Sequence, residues 1–352
     1  MLTFDVFVKV LNILPFFFFI LISMKKNEPY RIQKISNMTS AVLLFMMAIF
    51  MGLTPIEQGA DKYYYVQEFL GDTSERSNEV GWFIYNLVMA KLLGVNFVLF
   101  FIVTALIYSY SYYFIAKKYF PQEMVGYFVL LATGSLGFVN YGSNTIRAGF
   151  AIATIFYAVS LKLNKWQRGT LIILALLIHK SMIIPVSFYY FASHIRNKRF
   201  VELFWLLCLA VSIINVDFES FFAGIGGWDD RIEQFTSGAI DQTDEYGARF
   251  RYDFLIYSIV PIYIANIWMG RFHYDNEFYL RIYRTYVMIN AIWLIVIRMP
   301  FCDRIAYLSW FMIPILVLYP ILTKGVEIKN AQRVLSLIMG LFIGVNVLLS
   351  LR

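Results

Sequence analysis

Residues 171–191 read LIILALLIHKSMIIPVSFYYF, an apolar run of membrane-spanning length that His179, Lys180 and Ser181 interrupt at its middle. A hydrophobic helix needs about 20 residues to cross a bilayer. Ionisable side chains at membrane depth cost several kcal/mol, so by default they mark a functional site. A second such cluster, Asn144-Thr145-Ile146-Arg147, begins another apolar run. These two stretches therefore predict both a membrane fold and the location of its functional site.

The composition extends the membrane interpretation to the whole chain. Of its 352 residues, 60% are hydrophobic and 15% are charged, whereas a soluble domain is usually about half apolar and a quarter charged. The sequence therefore predicts an all-α, polytopic transmembrane protein in which residues 1–352 form a single integral membrane domain. About 12 spans are expected from the lengths of the apolar runs. They cover residues 4–23, 38–54, 96–116, 123–139, 145–162, 169–179, 181–194, 200–216, 252–270, 280–297, 305–322 and 333–350. Residues 79–94 are shorter and are predicted to form a re-entrant or interfacial helix.

The basic residues indicate which loops face the cytoplasm. Of the 30 Lys and Arg residues, 18 fall on one side of the predicted spans, and the positive-inside rule makes that side cytoplasmic. The basic residues of these loops explain the net charge of +7, which therefore does not indicate binding to nucleic acid. Both termini and two long loops, residues 55–80 and 217–251, are then expected on the outer face. These loops combine aromatic rings with acids, which suits sugar recognition; an interfacial aromatic belt with solvated acids is the alternative.

Six of the basic residues that are not on the cytoplasmic side are expected at the outer face as candidate phosphate ligands. They are Arg147, Lys180, Arg249, Arg251, Arg298 and Arg304. The planar guanidinium fork forms two parallel charge-assisted hydrogen bonds to a phosphate. Arginines that converge at an outer interface would therefore bind a lipid-linked phosphate or pyrophosphate. Alternatively, each one extends toward water or pairs with a nearby acid, as Arg304 could with Asp303.

The remaining candidates are an imidazole, two acids and several polar side chains. An imidazole can accept a proton near neutral pH, so His179 is the first candidate general base, and Asp61 is the second. The alternatives are a structural helix-capping histidine and a solvated acid. Asn144, Tyr64, Tyr65 and Glu79 are predicted to bind substrate. Glu79 also begins a helix, where a carboxylate serves the helix dipole.

Several sequence signals of cofactor chemistry are missing. The chain has no P-loop, no Gly-rich dinucleotide fingerprint and no His-Glu-x-x-His helix. The pair Asp229 and Asp230 is adjacent in sequence, which is poor spacing for one divalent ion. We therefore expect a metal-independent reaction that needs no cofactor.

At these residues the chain resembles the EpsG family of Wzy-like polysaccharide polymerases. The similarity begins with the Gly-x-Asp-x-x-x-Tyr pattern of residues 59–65 and with residues 79–82, Glu-Val-Gly-Trp. It continues with residues 144–151, which are similar to the family's Asn-x-Ile-Arg-Gln-x-x-Ala, and with residues 178–181, which are like its Ile-His-x-Ser. It ends with Arg304-Ile305-Ala306-Tyr307. Two departures are Ala148, where the family often has Gln, and Ala60, where many members have Thr.

The resemblance implies a GT-C-like glycosyltransferase of the bacterial cytoplasmic membrane, with its active site on the outer face. Such enzymes make O-antigen, capsule or exopolysaccharide from oligosaccharide repeat units linked to undecaprenyl pyrophosphate. They transfer the growing glycan from its lipid carrier to a sugar hydroxyl of another lipid-linked unit. The implied partners are this lipid-linked oligosaccharide and the bilayer, with a chain-length regulator and a flippase of the same pathway as candidate protein partners.

Three other functions compete with a polymerase. An O-antigen ligase shares the outer arginines and the lipid-pyrophosphate chemistry. A flippase or exporter of lipid-linked oligosaccharides should have charges along a path through the whole bilayer, whereas here the charges collect at one face. A membrane O-acyltransferase would use a catalytic histidine in a buried site that opens to the cytoplasm for an acyl thioester. His179 is instead predicted near the outer face.

Overall fold

The fold is known from a computed structural model, which describes residues 3–23, 29–57, 61–71, 79–214, 250–299, 302–323, 325, 326, 328 and 331–351. Every element of regular structure in these ranges is helical, so the predicted all-α class is confirmed. The chain divides into two compact units, Met1–Met182 with Ile321–Arg352 and Ile183–Pro320. The predicted outer loop at 217–251 lies outside the described residues except for its last two positions.

The first unit contains the helices that carry His179 and Arg147. In chain order its helices are α1 (Phe4–Ser23), α2 (Pro29–Gly52), α3 (Asp61–Leu70), α4 (Val80–Leu87), α5 (Phe97–Tyr119), α6 (Val125–Thr133), α7 (Phe138–Ser143), α8 (Ile146–Ser160) and α9 (Lys165–Ile178). A π-helical turn, Val88–Leu92, extends α4, and 3₁₀ turns lie at Gln122–Met124 and Lys180–Met182. The last helix of this unit is Ala331–Ser350, which is numbered α16 below.

Side-chain caps and close backbone contacts explain how these helices begin and pack. The Asn96 side chain accepts a hydrogen bond from the Leu99 amide at 2.9 Å and so caps α5. Asn164 and Gln167 form a capping box at the start of α9. α2, α5 and α8 pack side by side. Gly52 lets α2 approach the backbone of Ile102 in α5, as small residues do at helix interfaces in membranes.

In the second unit, the described helices are joined by buried polar contacts. It contains α10 (Ile183–Ala192), α11 (Lys198–Ile214), α12 (Tyr252–Gly270), α13 (Glu277–Ile295), α14 (Cys302–Trp310) and α15 (Ile313–Leu322), of which the last two residues count with the first unit. The Trp205 indole N–H donates to the Asn290 side chain at 2.8 Å. The Trp310 indole N–H donates to the Ser258 hydroxyl at 2.8 Å. These bonds satisfy polar groups that would otherwise be costly to bury.

Within the described residues, four helical segments are long and apolar enough to cross a membrane: Phe97–Tyr119, Tyr252–Gly270, Cys302–Leu322, which joins α14 and α15 through a turn, and Arg333–Ser350. The expected total of about 12 spans therefore stays a prediction. Two predicted details agree with the structure: the run 169–194 divides at His179–Met182, and residues 79–94 form a short helix that ends before Gly94. The run 123–139 differs, because it is interrupted between α6 and α7, where Gly137 has a φ of 93°. A positive φ favours glycine, and Gly137 is the N-cap residue at which α7 begins.

Candidate functional site

The structure brings Glu79 to the end of α9, although nearly 100 residues separate them in the chain. Glu79 is the N-cap residue of α4, but its side chain makes no capping hydrogen bond. Gly81 allows this approach: a Cβ atom built there would lie 2.7 Å from the carbonyl carbon of Leu177 and 2.8 Å from the amide nitrogen of Ile178. Only a residue without a side chain lets the two backbones come so close. The Glu79 carboxylate is therefore directed at the groups that follow α9.

His179 forms the first of these contacts. It is the C-cap residue of α9, in an extended conformation with φ −152° and ψ 108°. Its Nδ1 lies 2.8 Å from Oε1 of Glu79. The backbone N–H of Lys180 donates to the same oxygen at 3.0 Å. A carboxylate that accepts a hydrogen bond from an imidazole fixes the orientation and the tautomer of the ring.

Arg147 completes the cluster from the other side. It lies in the first turn of α8, and its Nη1 is 3.1 Å from Oε2 of Glu79. Its Nε donates to the Tyr65 hydroxyl at 3.4 Å, and its guanidinium carbon lies 5.4 Å from the centre of the Tyr65 ring. The single carboxylate of Glu79 thus contacts both an imidazole and a guanidinium.

The exposure of these side chains shows how the cluster is layered. The Glu79 side chain is 5% exposed, whereas those of His179 and Arg147 are 15% and 18% exposed. The carboxylate therefore lies behind, and the two basic groups lie nearer the surface. Arg147 and the neighbouring Lys180 outnumber the one carboxylate, so the cluster carries a net positive charge. Such an arrangement suits an anionic ligand in front of the two basic groups.

The environment of Glu79 keeps it ionised. Burial would by itself raise its pKa, but the charge of His179 and its hydrogen bond, the charge of Arg147 and the Lys180 amide together hold the pKa below its ordinary value of 4.5. A carboxylate at this position accepts a hydrogen bond from Nδ1–H of the His179 ring in both the charged and the neutral form of the ring, and the neutral form is the one with a free Nε2.

The first predicted loop, 55–80, contains helix α3, which lies against the cluster. The Asp61 backbone N–H donates to the Asn144 side-chain oxygen at 3.1 Å. One turn later, Tyr65 contacts Arg147 and packs its ring 5.4 Å from that of Trp82. Asn144 and Tyr65 therefore join α3 to the start of α8. Tyr64 packs edge-to-face on the neighbouring Tyr63 at 5.6 Å. The predicted roles of Asp61 as a base and of Asn144, Tyr64 and Tyr65 in substrate binding stay predictions.

The other predicted phosphate ligands belong to the second unit or lie outside the described residues. Arg251 binds Asp253 through two hydrogen bonds of 3.0 and 2.8 Å and lies 3.5 Å from the centre of the Phe254 ring. Arg298 donates through Nε to the Ser212 carbonyl at 3.3 Å, and Arg304 follows Asp303 in the first turn of α14. Arg249 is not among the described residues. Arg251 thus has the acid partner that the alternative interpretation expects, and the convergence of these arginines on one phosphate stays a prediction.

Sequence reasoning did not single out two buried charged groups next to the cluster. Glu68 accepts a hydrogen bond from the Trp82 indole N–H at 3.0 Å. Lys62 is 1% exposed, and its Nζ contacts backbone carbonyls. The spacing of Lys62, Tyr65 and Phe69 is typical of one face of a helix and would have been the available signal. Among the residues that the structure describes, no three His, Cys, Asp or Glu side chains form a group that could hold a metal ion.

Comparison with known proteins identifies one family. The sequence model of the EpsG family matches residues 37–352, a range that includes all the cluster residues described above. No curated protein and no solved structure matches the chain.

Proposed function

Since this chain belongs to the EpsG family, we propose that it is a polysaccharide polymerase of the Wzy type. The proposed reaction transfers a growing glycan from undecaprenyl pyrophosphate to a sugar hydroxyl of another lipid-linked repeat unit. The observation that carries this proposal is the contact of Glu79 with both His179 and Arg147, at 2.8 and 3.1 Å. This contact places a candidate base and a candidate anion-binding group beside one another.

His179 is the proposed general base. Because its Nδ1–H donates to the Glu79 carboxylate, the lone pair of Nε2 accepts the proton of the acceptor hydroxyl. The hydroxyl oxygen then forms a bond to the anomeric carbon of the donor sugar. The bond between that carbon and the pyrophosphate oxygen breaks, and undecaprenyl pyrophosphate leaves with the electron pair. Glu79 acts as a positioning residue that orients the imidazole and stabilises its protonated form.

Arg147 is proposed to stabilise the leaving group. The departing pyrophosphate gains negative charge as the glycosidic bond breaks, and it needs charge stabilisation rather than a proton. A guanidinium held in advance by Glu79 and Tyr65 stabilises this charge without having to reorganise during the reaction. Lys180, which follows His179 in the same turn, supplies a second positive charge.

The same proposal includes the placement of the protein. We infer a GT-C-like fold of about 12 spans in the bacterial cytoplasmic membrane, with the cluster at the outer face. This side is inferred from the basic loops that mark the opposite face as cytoplasmic. The lipid-linked substrate then reaches the cluster from the outer leaflet, after a flippase has delivered it. Asp61, Arg249, Arg251, Arg298 and Arg304 remain candidates for further contacts with this substrate.

Lipid-linked oligosaccharides extracted from cells that lack this protein test the proposal. We expect single repeat units to accumulate in the outer leaflet, because their polymerisation fails there. Units confined to the inner leaflet would instead identify a flippase. Long glycans that stay attached to the lipid would identify a ligase. Either of these outcomes would overturn the polymerase assignment.

A further inference from the structure

Lys62 is buried in an unusual environment for a lysine. Its side chain is 1% exposed, and its Nζ donates to the carbonyl oxygens of Thr54 at 2.7 Å and Gly52 at 2.9 Å, with Met51 at 3.5 Å. The Phe101 ring of α5 lies 4.7 Å away on another side. Lysine is almost never fully buried unless it is paired. Here the contacts described are carbonyl groups and a ring rather than a carboxylate.

Two of the three carbonyl groups that Lys62 contacts belong to the end of α2, and the third, that of Thr54, follows two residues after it. Gly52 is the last residue of α2, and Met51 precedes it. The last four carbonyls of a helix have no partner within the helix. A positive side chain at this end satisfies them and interacts favourably with the helix dipole. The amino group of Lys62 therefore joins α3 to the C-terminal end of α2.

Lys62 also determines which face of α3 meets the Glu79 cluster. Tyr65 lies three residues after Lys62, and Val66 and Phe69 follow on the same buried face. Residues with this spacing project from one side of a helix. Fixing Lys62 on α2 therefore fixes the rotation of α3 about its axis, which brings the Tyr65 hydroxyl to Nε of Arg147.

We propose that Lys62 is a positioning residue that docks α3 on α2 and so holds Tyr65 against Arg147. This inference rests on the proposed function only where activity is concerned, because the placement of α3 can be measured without substrate. Burial lowers the pKa of Lys62 to about 7, because desolvation disfavours the charged form; the neutral amine still has N–H donors for the carbonyl groups. The Asn144 contact with the Asp61 amide is a second attachment at the same end of α3.

Spin labels test the docking directly. One label replaces Leu70, which is 63% exposed on α3, and the other replaces Ile173, which is 59% exposed on α9. The distance distribution should be narrow in the otherwise unaltered protein and should broaden in Lys62→Met, which keeps the chain length but has no donor. Lys62→Arg, which restores N–H donors, should narrow it again. An unchanged distribution in Lys62→Met would overturn the proposal.

Kinetics separate a positioning role from a general loss of stability. Misplacing a catalytic group by about 1 Å lowers the rate by about 10²-fold, so Lys62→Met should lower kcat by about this factor with little change in KM. Combining Lys62→Met with Tyr65→Phe should add little further loss, because both act through Arg147. If the kcat losses of the two single variants add fully in the double variant, Lys62 does not act through Tyr65. If Lys62→Met does not accumulate in the membrane, Lys62→Leu, which also has no donor, replaces it in both measurements.

The distance measurement and the kinetics together distinguish a failure of this proposal from a failure of the proposed function. If the protein proves not to be a polymerase, the distance measurement still decides whether Lys62 docks α3. Lys9→Met serves as the matched control, because Lys9 is a partly exposed lysine on α1 that pairs with Asp5. It should change neither the distances nor the rate.

Discussion

Replacing Glu79 by Gln tests the centre of the proposed mechanism while nearly preserving the shape of the side chain. The amide oxygen can still accept from His179 Nδ1 and the Lys180 amide, which both contact Oε1. The amide nitrogen would then replace Oε2 and face Arg147 Nη1, a second donor, across 3.1 Å. One partner of a buried ion pair is lost, and two N–H groups face each other.

The size of the effect follows from the burial of these groups. Removing one partner of a buried ion pair costs about 3–5 kcal/mol. Arg147 is 18% exposed, so water compensates in part and about 2–3 kcal/mol is expected. Since each 1.36 kcal/mol corresponds to a tenfold change in rate, Glu79→Gln should slow polymerisation by about 10²-fold. In the proposed mechanism, the lost stabilisation is largest in the transition state, because the imidazole becomes protonated there and interacts most strongly with the carboxylate.

The assay uses membranes that contain the protein together with lipid-linked repeat units extracted from cells that lack it. Polymer length is followed on gels with time, and the initial rate is divided by the amount of protein. Glu277→Gln is the matched control, because it makes the same chemical change at a side chain that is 74% exposed. A Glu79→Gln rate within about threefold of the unaltered rate, at normal protein level, would refute the orienting role of Glu79.

Three further predictions follow from the same cluster. Arg147→Ala should abolish polymer on gels without loss of protein from the membrane, whereas Arg147→Lys should keep part of the rate because it keeps the charge without the fork; a normal polymer length in Arg147→Ala would remove Arg147 from the site. Gly81→Ala should lower the rate by about 10²-fold, because its Cβ would meet the Leu177 backbone at 2.7 Å and move Glu79 from His179. Gly169→Ala, where a Cβ would meet nothing within 4 Å, should have no such effect, and equal losses in both variants would contradict this reason. Burial lowers the pKa of Lys62 from 10.5 to about 7, so the folded protein binds fewer protons than the unfolded chain between these values. Its thermal stability in detergent should therefore rise with pH in this window, by up to about 1.4 kcal/mol per pH unit, and the rise should be smaller in Lys62→Met; identical pH profiles would contradict the burial of a titrating lysine.

The sequence predicted the helical class and several breaks because both depend on local composition. The polar residues His179 to Ser181 lie in an apolar run, and the structure divides the helix there. The interruption of 123–139 was missed, since the hydropathy of this run stays high and only Gly134 and Gly137 distinguish it. A backbone change that glycine allows does not alter a hydrophobic pattern.

The candidate site was predictable as a set of residue types but not as a set of contacts. Arg147 and His179 stood out because charge is costly in apolar surroundings. Their common partner Glu79 was expected to bind substrate or to serve the helix dipole, and that role stays a prediction. The contact of its carboxylate with both basic groups was not predicted. That meeting depends on the close approach of α4 and α9 at Gly81. Such tertiary contacts between segments about 100 residues apart leave no local signal in the sequence.

The geometry also indicates why one carboxylate serves two basic groups. A transfer from a lipid pyrophosphate develops positive charge on the base and negative charge on the leaving group at the same time. In the proposed mechanism, Oε1 of Glu79 faces the imidazole that takes up the proton, while Oε2 lies against Arg147, the proposed partner of the departing anion. Because its pKa is lowered, the buried carboxylate keeps its charge, while Arg147 is 18% exposed and so stays accessible to an anion. Without its contact with Glu79, the Arg147 side chain would have to become ordered during the reaction. A site that is already ordered avoids this reorganisation.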